Sequence, residues 1–90
     1  MQEQLKSMEA EALARLAEVQ DLTALEEWRT GYLGRKGRLA QILRGLGQLG
    51  REDRPLVGKT ANEVKEALEA ALHELKAALA QAEMEAALAA

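Results

Sequence analysis

G-K-T-A-N-E-V-K-E-A-L-E-A-A-L-H-E-L-K-A-A-L, residues Gly58 to Leu79, carries Val64, Leu68, Leu72, Leu75 and Leu79 at spacings of three and four. That period places them on one stripe of an α-helix. Val57 and Ala61 extend the stripe backwards, and Ala82 and Ala86 extend it forwards. Gly58 is the one helix-weakening residue between Pro55 and Ala89. The reading therefore predicts a single helix of roughly 35 residues, about 50 Å long at about 1.5 Å per residue. A rod of that length cannot bury its stripe against itself and needs an antiparallel partner. The residues before it are the partner at hand, and the small Ala67, Ala71, Ala78 and Ala82 are expected to let two helices approach closely.

Those earlier residues also read as helical. Leu5, Met8, Ala12, Leu16 and Val19 form a stripe, and Glu11 stands four residues before Arg15 as a surface pair. Asp21 or Thr23 starts the next segment, since T-A-L-E (Thr23 to Glu26) matches a capping box. Leu22, Leu25, Trp28 and Tyr32 then keep helical spacing up to Gly34. Leu39, Ile42, Leu43 and Leu46 make a further stripe, which ends in G-L-G-Q-L-G, Gly45 to Gly50. Glycine in such density opposes helix. R-E-D-R-P opens the last segment, with acids suited to a helix start and Pro55 tolerated there. The expected fold is all-α: an antiparallel helical hairpin or coiled coil, with a long C-terminal helix and a first arm broken near Gly34–Gly37. The tip falls near Gly45–Arg51, with bases toward the tip half and acids toward an end carrying both termini.

Composition agrees and excludes much else. Ninety residues make one domain with a modest core. Trp28 and Tyr32 are the only aromatics, so Leu and Ala supply most apolar content and favour helix. Absence of cysteine removes disulfides, thiolate chemistry and Cys-ligated metal, and the lone His73 cannot build a His metal site. His73 reads as a solvated residue, and Trp28 and Tyr32 as core anchors. Apolar runs of four or five residues are far below the ~20 that a bilayer span needs. The opening M-Q-E-Q-L-K-S lacks a signal-peptide pattern. Cytoplasm is the expected compartment. No Ser/His/Asp set, no paired carboxylates in a plausible cleft and no cleft in a two-helix rod support catalysis by these residues, and no cofactor of their own is expected.

Net charge is −3, yet charge is segregated along the chain. From Arg29 to Lys59 eight bases face two acids, a net of +6, whereas the remainder carries −9. At the centre of the basic segment stands Y-L-G-R-K-G-R-L, Tyr32 to Leu39. One reading is a helix stop at Gly34 with bases in the last turn. The other is a phosphate-gripping turn built from exposed N–H groups and flexible cations. It lacks the spacing of a nucleotide-binding P-loop.

Taken together, Y-L-G-R-K-G (Tyr32 to Gly37), then E-D-R-P (Glu52 to Pro55), then Gly58, Asn62 and Lys65 in G-K-T-A-N-E-V-K, resemble the N-terminal domain of the bacterial phenylalanyl-tRNA synthetase alpha subunit. The resemblance covers essentially all residues 1–90. It implies an antiparallel coiled coil that contacts tRNA from outside the catalytic body, as the N-terminal module of a longer chain. It further implies a class II ligase as parent, with ATP and Mg²⁺ bound elsewhere in it. Partners implied are phenylalanine-specific tRNA, the rest of the alpha subunit and the beta subunit of an α₂β₂ assembly, with no membrane. On charge and expected exposure, Arg35, Lys36, Arg38 and Arg44 are the foremost tRNA-binding candidates. Arg29, Arg51, Arg54 and Lys59 stand behind them. The competing function is a structural or oligomerising coiled-coil module with no nucleic-acid role.

Overall fold

The computed structural model describes residues 2–45, 50 and 54–89, and among them the chain forms helices α1 (Gln2–Leu16), α2 (Leu22–Leu33), α3 (Arg38–Arg44) and α4 (Arg54–Ala89). The expected long helix is present as one unbroken element of 36 residues. Pro55 is its second residue, where a missing N–H leaves no helical hydrogen bond unmade. Glu52 and Asp53, read as first-turn acids, lie outside the described residues, as do Arg51 and most of the expected tip.

The core is the meeting of α4 with everything before it. Val57, Ala61, Val64, Leu68 and Leu72 are buried against Leu5, Met8, Ala12, Leu16, Leu25, Trp28, Tyr32 and Leu39. Leu75 and Leu79 are only partly buried, and Ala82 and Ala86 are exposed. The stripe thus continues in sequence beyond the reach of its cover. Met84 and Leu88, at 64% and 81% exposure, add apolar surface to the same uncovered end. Ala67, Ala78 and Ala82 are also exposed, so they do not mediate close helix approach as expected. Ala67 and Ala78 lie to one side of the stripe, and Ala82 lies past its cover. The small residues within the core are Ala12 and Ala61.

Chain direction differs from the expectation at one place. Gln2 Nε2 donates to Thr60 Oγ1 at 3.3 Å, near the start of α4. Leu13, Leu16 and Ala17, at the other end of α1, share a groove with Ala71, Leu75 and Ala78. Hence α1 runs parallel to α4, and the chain must return from there to Arg54. α2 and α3 make this return and form the antiparallel hairpin with α4, while α1 lies along both. The N-terminal residues therefore sit beside the beginning of α4, about 44 Å from Ala89 at about 1.5 Å per residue. Gln2 and Ala89 thus do not share an end, and acids of α1 lie alongside the basic half. The reversal is local: Glu18 and Val19 N–H groups bond back to Arg15 and Leu16 carbonyls, and Asp21 restarts the helix. Asp21 Oδ1 accepts from Ala24 N–H at 2.7 Å, so Asp21 is the N-cap and Thr23 lies inside α2.

Aromatic packing fixes α1 onto α2. Trp28 Nε1 donates to the Ala12 carbonyl at 2.8 Å, and the Trp28 and Tyr32 ring centroids stand 5.4 Å apart. Burying an indole N–H without a partner is costly, and this bond removes that cost. Leu68 is fully buried. Leu68→Ala should therefore lower unfolding free energy by about 2–5 kcal/mol, against less than about 0.5 kcal/mol for the exposed Leu88→Ala, in urea melts.

Tyr32 is the single tyrosine, and burial, followed by the nearby Glu11 charge, raises its phenol pKa above 10.0. The folded state thus holds this proton more tightly than the unfolded one. Its contribution to stability is complete below pH 10.0 and is lost as pH rises through the folded value. Phenolate absorbance should appear at higher pH in the native protein than in denaturant, and coincident titrations would refute the assignment.

Candidate nucleic-acid interface

The basic turn between α2 and α3 is built by backbone crowding. Gly34 ends α2 and Gly37 caps α3, both with extended backbone at negative φ. Left-handed conformation is therefore not why glycine stands here. A Cβ on Gly34 would lie 2.6 Å from the Thr30 carbonyl oxygen. One on Gly37 would lie 2.9 Å from the Tyr32 carbonyl carbon and 3.0 Å from the Gly31 and Thr30 oxygens. The chain folds back so tightly over the end of α2 that side chains at these two positions have no room.

Hydrogen bonds then brace the turn. Gly37 N–H donates to the Gly34 carbonyl at 3.0 Å, which closes it and occupies an N–H that a phosphate would otherwise meet. Gln41 Nε2 donates to the Lys36 carbonyl at 2.9 Å, and Arg44 Nη2 reaches the Arg35 carbonyl at 3.5 Å. Both side chains come from α3, so the carbonyls of the two central bases are satisfied from below. The turn presents cations from a braced backbone, with the Gly37 N–H already engaged.

The eight candidate bases are placed differently. Arg35, Lys36, Arg38 and Arg44 come together at this turn and along α3, all exposed. Arg35 and Lys36 have no acidic partner among the described residues. Arg38 does: its Nη1 donates to Glu11 Oε2 of α1 at 2.8 Å, with both side chains partly in solvent. The expected Glu11–Arg15 pair gives way to this contact between α1 and α3. Arg29 is bound to Glu26 on its own helix, a bond that lowers the Glu26 pKa and raises that of Arg29. It lies over α4 in a groove with Leu22, Leu25, Leu72, His73 and Lys76, away from the turn. Arg54 and Lys59 are exposed on the first turns of α4, and Arg51 lies outside the described residues.

Sequence reasoning missed Gln41 and Glu11. Gln41 stands four residues after the capping glycine, a spacing that could have marked it. Glu11 is 27 residues from Arg38, and nothing in the chain's periodicity links them. Chemically the surface offers positive charge and hydrogen-bond donors. Among the described residues there is no group of three or more His, Asp or Glu able to hold a metal ion. Among them, too, no helix is long and apolar enough to cross a membrane.

The profile of the family described as "Aminoacyl tRNA synthetase class II, N-terminal domain" matches residues 20–88, beginning after α1. The phenylalanine–tRNA ligase alpha subunit of Anoxybacillus flavithermus is 44% identical over all 90 residues. Those of Alkaliphilus oremlandii and Acaryochloris marina are 47% identical over 85 residues and 46% over 90. The chain spans about a quarter of these relatives, 26%, 25% and 27% of their respective lengths.

The packing at the turn makes a contrast between two glycines. Gly31 in α2 has nothing within 4 Å of a Cβ. Gly31→Ala should stabilise the fold by up to about 1 kcal/mol through helix propensity. Gly37→Ala should cost about 1–3 kcal/mol because only backbone atoms are there to yield. Thermal and urea unfolding of the two variants should move in opposite directions.

Proposed function

The chain belongs to the family of class II aminoacyl-tRNA synthetase N-terminal domains, and from that premise we propose that it is the tRNA-binding arm of a phenylalanine–tRNA ligase alpha subunit. The observation that carries this reading is the alignment of the whole chain with alpha subunits about four times its length. In this reading residues 1–90 form one helical module of a longer, cytoplasmic chain. ATP and Mg²⁺ act in the catalytic part of the parent, and tRNA, the rest of the alpha subunit and a beta subunit are its partners. The module itself performs no chemistry. It assists aminoacylation by holding tRNA.

The grip is electrostatic. A folded RNA carries closely spaced phosphates, and each one neutralised by a base releases condensed counterion. Arg35 and Lys36 suit that task because they are exposed, lack acidic partners among the described residues, and stand on a braced turn. Arg44 belongs to the same surface, with its guanidinium also holding the Arg35 carbonyl. Arg54 and Lys59 extend positive charge along the start of α4, and Arg51 adjoins it in sequence. Arg29 is the weakest member, being engaged by Glu26 and set over α4. The apolar end of α4 beyond Leu79 is, in this reading, the part that meets the remainder of the alpha subunit.

Arg35→Glu and Lys36→Glu together, made in the intact ligase, should weaken tRNA binding. They should also lower the slope of log K against log salt by about 1.4–1.8, corresponding to two lost phosphate contacts. Amino-acid activation without tRNA should be unaffected. Unchanged affinity and slope would remove the turn from the interface.

A further inference from the structure

We propose that Glu11 is a positioning residue that withholds Arg38 from RNA, its carboxylate taking the place a phosphate would otherwise occupy. The inference rests on the tRNA-binding reading above and deepens it, because it says which bases of the turn are offered and which are held back.

Three observations carry it. Glu11 and Arg38 meet at 2.8 Å between α1 and α3, and they are the one ion pair between different helices among the described residues. The pair stands beside the buried Tyr32 ring, where Arg15 is the other nearby cation. The α1 backbone behind Glu11 is also fixed, since the Ala12 carbonyl accepts from Trp28 Nε1 at 2.8 Å. The helix that carries Glu11 is thus anchored to α2, and Arg38 is paired with it while its neighbours Arg35 and Lys36 have no acidic partner among the described residues. With half of the Arg38 side chain and 38% of the Glu11 side chain exposed, the pair is accessible to solvent and to competing anions. A phosphate approaching the turn meets Arg35 and Lys36 without an acidic partner, Arg38 engaged by Glu11, Arg44 bonded to the Arg35 carbonyl, and the Glu11 carboxylate itself. In effect α1 sets the charge of a surface that α2 and α3 build.

The test compares variants of the intact ligase for binding to its tRNA across a salt series. Glu11→Gln keeps the shape of the side chain and removes the charge. It should tighten binding about threefold, a fold-change in the range of exposed ion pairs, by freeing Arg38 and lifting a repulsion. It should also steepen the salt slope by about 0.7–0.9, one additional phosphate contact. Arg38→Gln alone removes no phosphate contact, so it should leave the salt slope unchanged and weaken binding only through the Glu11 charge it uncovers; in that background Glu11→Gln should restore affinity without steepening the slope. The Arg38→Gln background keeps the proposal testable even if Glu11→Gln loosens α1, because Arg38→Gln on its own must leave the slope unchanged. Binding by Glu11→Gln that is no tighter, or a salt slope lowered by Arg38→Gln as much as by Arg35→Gln, would overturn the proposal. Arg35→Gln with Lys36→Gln is the separate control. If that pair leaves binding unchanged, the phosphate-gripping reading fails, whereas its loss alongside an unresponsive Glu11→Gln fails only the role of Glu11.

Discussion

α4 has an apolar stripe longer than anything folded against it, and the remaining architecture follows from that mismatch. Val57 to Leu72 are covered, Leu75 and Leu79 half covered, and Ala82 and Ala86 not at all. One neighbouring helix would leave a flank of this stripe wet. Two neighbours, α1 on one side and α2–α3 on the other, close the covered part into a core containing Leu5, Met8, Trp28 and Leu39. Because the two neighbours are joined by a short reversal, they must run in opposite directions. That is why α1 is parallel to α4 and the return arm antiparallel. The 58 Å long axis is then largely the length of α4 itself.

The same packing dictates the shape of the basic turn. The return arm has to change from α2 to α3 while keeping Tyr32 and Leu39 in one core. Only a tight fold-back does this, and the crowding of Gly34 and Gly37 against the end of α2 is its trace. Arg35 and Lys36 are the residues left on the outside of that fold-back. Their exposure is thus a consequence of burying Tyr32 and Leu39 on either side. Function, in the proposed reading, uses what the hydrophobic constraint had already displayed.

Local features were legible in the sequence because they depend on nearby residues. The Leu/Ala stripe gave α4 almost to the residue, Asp21 was one of two candidate caps, and the break at Gly34–Gly37 fell where two glycines bracket bases. Trp28 and Tyr32 were legible as core by their helical spacing. Direction was not. Whether α1 continues the first arm or turns back depends on the five residues Ala17 to Asp21, and a helix reads the same either way. Nor could the alanines be sorted, since Ala61 and Ala82 look alike until the reach of α1 and α2 is known. The Glu11–Arg38 pair belongs to this second class. It exists because α1 turns back, and so no local pattern announces it.

Charge shows the same difference between chain and space. Along the sequence the bases from Arg29 to Lys59 form a block distinct from the acids. In the fold, the parallel α1 brings Glu11 against that block and pairs it with Arg38, while Glu26 engages Arg29 within α2. Both pairs are solvent-exposed, so each is worth little to stability. Their larger effect is on what the surface presents. An exposed ion pair offers an incoming phosphate an arginine with some of its donors already used and its field partly cancelled. Arg38 at the turn and Arg29 away from it are reduced in this way, and Arg35 and Lys36 are not. A block of +6 spread over 31 positions is thereby narrowed to a small, braced centre of unopposed charge. In the proposed reading, binding by that centre depends on where α1 lies, although α1 contributes no base to it.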